Sequence, residues 1–247
     1  MKAVILAAGI ASRLRPFTNS KPKCMIQLGG KSILERTISS IRNYSIDEFI
    51  IVTGYLEEQI TKFLNKFYPS SNISFIHNEL YASTNNIYSL WLTKNRIKNT
   101  DILLLDSDII FDQRIIGILL DSGPGNFLAI RSDHDMGEEE MKVITSENNV
   151  ITKISKNIDP ALAAGESIGI EKFEAEFIDV LFEKINYRVV NEGRHNDFYE
   201  EAFQDAIDDG QKLYALNVGE YPCIEIDTID DIKSAEKIVL HLLDEIT

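Results

Sequence analysis

Cysteine is scarce in this 247-residue chain: Cys24 and Cys223 stand far apart, with no C-x-x-C pair and no histidines at metal-ligand spacing. That pattern excludes a disulfide framework or a zinc site and predicts two free thiols in a cytoplasmic setting. No apolar run approaches the roughly 18 residues that a membrane-spanning helix needs. The N-terminus carries a single Lys and then a strand-like run, which is not the pattern of a signal peptide. No membrane association is expected. Positive charge is also in short supply, with 25 Lys and Arg against 39 Asp and Glu and a formal net charge of −14. Such a surface repels a phosphate backbone, so no nucleic-acid partner is expected. The glycine signatures G-x-G-x-x-G and G-x-x-x-x-G-K-[ST] are both missing, which argues against a dinucleotide oxidoreductase and a P-loop protein. His77, His134, His195 and His241 form no cluster, and no Ser-His-Asp order is implied.

What is present begins at once. Lys2 to Leu6 is a short apolar run, the pattern of a strand buried on both faces of a parallel sheet. Ala7, Ala8 and Gly9 follow, small enough for backbone N–H groups to approach a bulky ligand. Then come Ser12, Arg13, Arg15, Lys21 and Lys23. A small-residue turn followed by concentrated positive charge, in an otherwise acidic chain, suits a polyphosphate.

The rest of the first half alternates. Ser32 caps a helix with Leu34, Ile38 and Ile41 on one face. Phe49–Thr53 reads as a strand. Leu56, Ile60, Phe63, Leu64 and Phe67 mark an amphipathic helix that Pro69-Ser70-Ser71-Asn72 breaks, and Ile73–His77 is a third strand. This β-α-β-α-β order predicts a parallel sheet with right-handed crossovers. A polar loop from Asn78 leads to a helix at Ile87–Leu92, a strand over Asp101–Asp108, a helix over Gln113–Leu120 and a strand over Phe127–Arg131. Beyond an acidic stretch, Met141–Thr145 and Val150–Ile154 read as a β-hairpin around Glu147-Asn148-Asn149. Phe173, Phe177, Val180 and Leu181 mark one helix, and Phe198–Ile207 another. Lys212–Val218 and Cys223–Ile226 are late strands. A last helix after Thr228–Asp231 turns Ile232, Ala235, Ile238, Val239, Leu242 and Leu243 inward. The reading is one α/β domain over 1–247, with a nucleotide-binding half to about residue 130 and an acceptor-binding half after it.

The ordered string L-A-A-G-x-x-S-R-L-x-P-x-T-x-x-x-P-K resembles the signature of the nucleotidyltransferases that make NDP-sugars and CDP-alcohols. Ala11 stands where a second glycine is frequent; a slightly stiffer loop with no loss of binding is expected. The resemblance implies a Rossmann-like three-layer α/β/α sandwich with a mostly parallel mixed sheet and small antiparallel additions. Asp106-Ser107-Asp108 resembles the family's strand-end acidic motif, which makes Asp108 an Mg²⁺ ligand and Asp106 a supporting or turn residue. Ile224–Asp231, IEIDTIDD, resembles the E-I-D-T/S-x-x-D segment whose aspartate, here Asp227, completes the metal site. Two carboxylates with substrate oxygens and water suit the octahedral shell of Mg²⁺.

Glu79–Leu90, ELYASTNNIYSL, departs from the Gly-rich base loop of the sugar-nucleotide branch and resembles the phosphocholine cytidylyltransferases and their phosphonate relatives. Asn85 and Asn86 have amides suited to a base edge or a phosphate, and equally suited to capping the helix that follows. Glu166, Asp197, Tyr199 and Glu200 fall in segments resembling the acceptor pocket of that branch, although Tyr199, Phe203 and Ile207 at helical spacing also read as core. The implied assignment puts Leu6, Ala7, Ala8, Gly9, Ser12, Asn85, Asn86 and Ser107 on the nucleotide, with Arg13 and Lys23 catalytic. CTP and a small phosphorylated acceptor are the implied partners. A sugar 1-phosphate acceptor and an inactive nucleotide-binding regulator are the alternatives, and oligomeric state stays open, a homodimer included.

Overall fold

A computed structural model describes residues 1–69, 72–133 and 136–244, the last two of them by backbone alone. Ser70 and Ser71 of the expected helix break, His134 and the side chain of Leu243 lie outside the described residues.

The strand β1 (Lys2–Ala7) is buried on both faces: Val4 and Leu6 enter one core and Ala3, Ile5 and Ala7 the other. Only a strand covered on both sides can be apolar at successive positions. After a two-residue ribbon of β2 (Gln27–Leu28) and β3 (Lys31–Ser32), Ser32 caps α1 (Ile33–Arg42), its hydroxyl accepting from the Glu35 N–H at 3.1 Å. β4 (Glu48–Thr53), α2 (Glu57–Phe67) and β5 (Asn72–His77) complete the alternation, and β1, β4 and β5 run parallel. Phe67 departs from its expected face and is exposed. α3 (Asn86–Leu92) and α4 (Lys94–Ile97) precede β6 (Ile102–Asp106), which lies parallel to β1 on its other side. The chain turns at Ser107-Asp108 into β7 (Ile109–Phe111), so the fourth strand is shorter than expected.

α5 (Arg114–Asp121), β8 (Asn126–Arg131) and the antiparallel hairpin of β9 (Lys142–Thr145) and β10 (Ile151–Ser155) follow. Next comes β11 (Gly165–Phe173), a nine-residue strand with no apolar run to announce it. It lies antiparallel to β6, β8 and β9 and joins the two halves of the sheet. Its polar residues Glu171 and Lys172 are buried, and its register shifts between Ser167 and Glu171. Gly169 sits in this bulge at φ 69°, where a Cβ would stand 2.7 Å from Asp106 Oδ2. Phe173 therefore closes a strand instead of opening the helix α6 (Ala175–Asn186). α7 (Glu200–Asp208), β12 (Leu213–Asn217), β13 (Cys223–Glu225) and α8 (Ile229–Asp244) end the chain.

The large sheet runs β10-β9-β11-β6-β1-β4-β5, with β8 against β11 and β12 parallel to β8. α1, α2 and α5 pack on one face and α3, α6 and α7 on the other, which makes the three layers. α8 forms a third core with Leu14, Ile26, Leu28, Ile110 and Ile226. Among the described residues no helix is long and apolar enough to cross a membrane.

Candidate active site

A cleft of about 980 Å³ opens beyond the carboxyl ends of β1 and β6, where open α/β sheets take their ligands. Leu6, Ala7, Ala8, Gly9, Ser12 and Arg13 line it from the first loop. The loop's shape is held from behind: Leu14 is anchored in the third core, the Thr18 hydroxyl donates to the Ala11 carbonyl at 2.9 Å, and the Tyr55 hydroxyl donates to the Thr18 carbonyl at 2.9 Å. Ala11 takes the left-handed conformation at φ 51°. Nothing stands within 4 Å of a Cβ built on Gly9, so that backbone faces open space. Arg15 and Lys21 are exposed and do not line the cleft; of the expected cationic side chains of this loop, Arg13 and Lys23 do.

The acidic motifs converge through one ribbon. β13 pairs antiparallel with β7, Glu225 opposite Ile109, and the Ile226 N–H donates to the Asp108 carbonyl at 3.0 Å. Asp227 therefore arrives beside Asp108. Lys23 Nζ donates to Asp108 Oδ2 and to Asp227 Oδ1, at 2.7 Å each, and Arg13 Nη2 donates to Asp227 Oδ2 at 2.5 Å. Burial opposes the charge on Lys23, but the two carboxylates outweigh it and raise the ammonium pKa. Glu225 was not singled out by its sequence, yet it offers a third carboxylate: oxygens of Asp108, Glu225 and Asp227 lie within 4.8 Å of one another. The E-I-D spacing carries the signal, since i and i+2 share a strand face. Desolvation and the two aspartate charges push Glu225 up to about 8. Asp108 Oδ1 is buried with no hydrogen-bond partner among the described residues. Hard oxygens around a place where an ammonium already stands, with one oxygen unmatched, fit Mg²⁺.

Asp106 goes elsewhere. Its Oδ2 accepts from the Tyr199 hydroxyl at 3.0 Å, so the two aspartates of the motif line one cleft but serve different partners. Ser107 lines the cleft between them. Burial pushes both Cys24 and Cys223 up to about 12, which removes them as nucleophiles at neutral pH.

The T-N-N loop is built around Asn78, which its sequence did not single out. The buried Asn78 amide accepts from the Leu80 N–H at 2.9 Å and donates to the Thr84 and Ser89 hydroxyls at 3.1 Å each. Asn85 caps α3, accepting from the Asn86 N–H at 2.8 Å, and Asn86 Oδ1 accepts from the Tyr199 N–H at 2.8 Å. Both asparagines line the cleft, and both also brace the start of α7 or the segment before it. Gly54 lets this loop close on the cradle: a Cβ there would lie 2.6 Å from Tyr81 Cβ and 2.7 Å from the Ala8 carbonyl oxygen.

On the acceptor side, Glu166 and Glu200 line the cleft. Asp197 and Tyr199 are not among the residues that line it. Asp197 accepts from Arg188 Nη1 at 2.7 Å, in a cluster that Asp205 shares, and Tyr199 is fully buried in the core. The aromatic side chain presented from this segment is Phe198.

A mixed sheet between two helix layers, with a small-residue loop and an acid–lysine cluster at its strand ends, defines a Rossmann-like α/β protein of the nucleotide-handling kind. Residues 2–121 match the Nucleotidyl transferase family. The choline-phosphate cytidylyltransferase of Streptococcus pneumoniae is 37% identical over 107 residues, 43% of this chain and 45% of that protein. The choline-phosphate cytidylyltransferase of Haemophilus influenzae is 35% identical over 151 residues, 61% of each chain. The chain thus spans about half to three-fifths of the length of these curated relatives. The solved structure of CTP:phosphocholine cytidylyltransferase from S. pneumoniae has the same fold, with a TM-score of 0.78 and 23% identity over 96% of this chain and 98% of that one.

Proposed function

We propose that this chain is a Mg²⁺-dependent cytidylyltransferase that joins CMP from CTP to a small phosphorylated acceptor and releases pyrophosphate. The observation that carries the reading is the Lys23 ammonium held between Asp108 and Asp227 at the mouth of the small-residue loop. The names of the relatives support cytidylyl transfer and a phosphocholine-like acceptor. Two free, buried thiols fit a reducing, cytoplasmic setting.

In this reading a phosphate or phosphonate oxygen of the acceptor attacks the α-phosphorus in line. The bond from that phosphorus to the bridging oxygen breaks, and pyrophosphate carries away the electron pair. The nucleophile is already anionic, so no general base is needed, and catalysis is positioning plus charge neutralisation. The backbone around Ala7, Ala8 and Gly9 cradles the nucleotide, with Ser12, Asn85, Asn86 and Ser107 along its sides. Arg13 neutralises the departing phosphates, and Lys23 bridges the α-phosphate and the acceptor phosphate. Asp108 and Asp227, with Glu225 beside them, would hold Mg²⁺, which supplies charge withdrawal from the phosphates when bound. Once the acids are so engaged, Lys23 is free to turn to phosphate oxygens.

The test is pyrophosphate release measured with CTP, UTP, GTP and dTTP against phosphocholine, aminoethylphosphonate and hexose 1-phosphates. Release with CTP and a small phospho-acceptor is expected. Release with a hexose 1-phosphate alone would establish the sugar-nucleotide alternative. Tight CTP binding with no product from any acceptor would favour a regulatory domain.

A further inference from the structure

The loop that carries Arg13 has little packed beneath it. From Ser12 to Lys21 only Leu14 and Thr18 are buried, and Phe17 is 52% exposed. A segment of this kind opens locally unless side chains from elsewhere hold its backbone. Here they come from the turn between β4 and α2, and neither Tyr55 nor Gln59 is among the residues that line the cleft.

Tyr55 is joined to both ends of the loop. Its N–H donates to the Ala8 carbonyl at 3.1 Å, where the chain leaves β1. Its phenol proton is shared by the Thr18 carbonyl at 2.9 Å and the Asn19 carbonyl at 3.0 Å, where the loop turns back. The Gln59 amide donates to the next carbonyl, that of Ser20, at 2.8 Å. The path continues inward, because the Thr18 hydroxyl donates to the Ala11 carbonyl at 2.9 Å. Ala11 opens the short helical turn that carries Arg13, and Arg13 ends on Asp227.

The turn itself is under constraint. Leu56 is left-handed at φ 52°, a conformation that a bulky side chain adopts at a cost. Gly54 has no room for a Cβ between Tyr81 and the Ala8 carbonyl, and the Tyr55 and Tyr81 rings stand 6.3 Å apart. Strain of this kind persists where the surrounding structure over-determines the backbone.

We infer that Tyr55, assisted by Gln59, is a positioning residue for Arg13. It clasps the two ends of the loop together and so fixes where the guanidinium meets the phosphates. The inference rests on reading this loop as the triphosphate cradle. The clasp acts on the nucleotide through the loop backbone, so its loss should change nucleotide affinity and turnover and leave the acceptor affinity alone.

The experiment compares the whole protein with Tyr55→Phe, which keeps the ring and removes the donor, and with Gln59→Ala. Tyr68→Phe is the control, since its hydroxyl faces the Ser39 hydroxyl at 3.4 Å at the far end of α2. CTP binding is measured by calorimetry with Mg²⁺, and pyrophosphate release is followed with CTP and phosphocholine. Chymotrypsin cleavage after Phe17 is read by mass spectrometry. Tyr55→Phe is expected to weaken CTP binding about fivefold, the ratio that one net hydrogen bond gives. Turnover should fall by about tenfold, with the KM for the acceptor within about twofold of wild type. Cleavage after Phe17 should be at least ~5-fold faster without nucleotide, and saturating CTP should remove the difference. Gln59→Ala should move the same quantities in the same direction by less, and Tyr68→Phe should move none of them. Unchanged cleavage or unchanged CTP affinity in Tyr55→Phe, an equal rise in both KM values, or the same losses in Tyr68→Phe would overturn the clasp. CTP binding that Tyr55→Phe weakens, with no pyrophosphate released from any acceptor named above, upholds the clasp and rejects the transfer reaction. Release by Tyr55→Phe at the wild-type rate and CTP affinity does the reverse, and a wild-type protein that binds no CTP overturns both.

Discussion

Asp108 and Asp227, far apart in the chain, share one ammonium: Lys23 Nζ lies 2.7 Å from a carboxylate oxygen of each. The β7–β13 ribbon is the cause. Its last bond, Ile226 N–H to the Asp108 carbonyl at 3.0 Å, sets the two acids side by side. Two like charges this close need a cation between them. In this state Lys23 provides it, and in the proposed reaction a divalent ion does.

Lys23→Ala should therefore have two separable effects. Turnover should fall by a factor of about a hundred or more, the usual loss for one preorganised donor at a developing charge. Affinity for Mn²⁺ without nucleotide should rise, because the internal competitor is gone. Steady-state kinetics and electron paramagnetic resonance of Mn²⁺ read the two quantities. Near-normal turnover would remove Lys23 from the phosphates, and unchanged Mn²⁺ affinity would show that lysine and metal do not compete.

Asp108→Asn and Asp227→Asn should each weaken Mn²⁺ binding by about tenfold or more, the scale of one lost charge in a shared site. The double variant should lose less than the product of the two single losses, since both acids act on one ion. Chelation should abolish turnover, and added Mg²⁺ should restore it. Fully independent losses would mean that the acids do not hold a common ion.

Glu200 makes a prediction about pH. Its carboxyl rises from an ordinary 4.5 to about 7 in the fold, mainly through burial. Between those values the folded chain binds the proton more tightly than the unfolded chain does. This group's contribution is thus fully present below pH ~4.5 and is lost as pH rises toward 7 and beyond. The loss is roughly 3 kcal/mol at most, at about 1.4 kcal/mol per pH interval. Glu200→Gln should be more stable than the parent at pH 8 and close to it at pH 4.5, by urea unfolding at the two values. A difference independent of pH would refute the assignment.

Ala11→Gly addresses the loop. At φ 51° an alanine pays about 1–2 kcal/mol of left-handed strain. Glycine relieves it but adds roughly 0.4–1 kcal/mol of unfolded-chain freedom. A net gain of about 0.5–1 kcal/mol is expected, seen as a rise of a few degrees in Tm, with nucleotide affinity unchanged. A fall in Tm would show that the stiff alanine is preferred there.

Much of the fold was legible in the residues. The β-α-β-α-β alternation, the Ser32 cap, the 147–149 hairpin turn and the capping residues of α8 all follow from local rules, and the structure has each of them. β11 was not legible. Its buried Glu171 and Lys172 and its bulge at Gly169 erase the apolar pattern that marks a strand, and only neighbours on both edges make a strand of it.

The site divides the same way. By itself the sequence determined which chemistry is stocked: a small-residue loop, two cations after it and acids at a strand end. Periodicity and capping act over a few residues, and such groups announce themselves locally. Tertiary structure alone decided which of them meet. It set Asp227 and Glu225 beside Asp108, turned Tyr199 inward onto Asp106 and brought Phe198 and Glu200 to the cleft. Side chains one residue apart at the start of a helix point about 100° apart, and which of them meets solvent depends on the strand packed beneath, which no local pattern encodes.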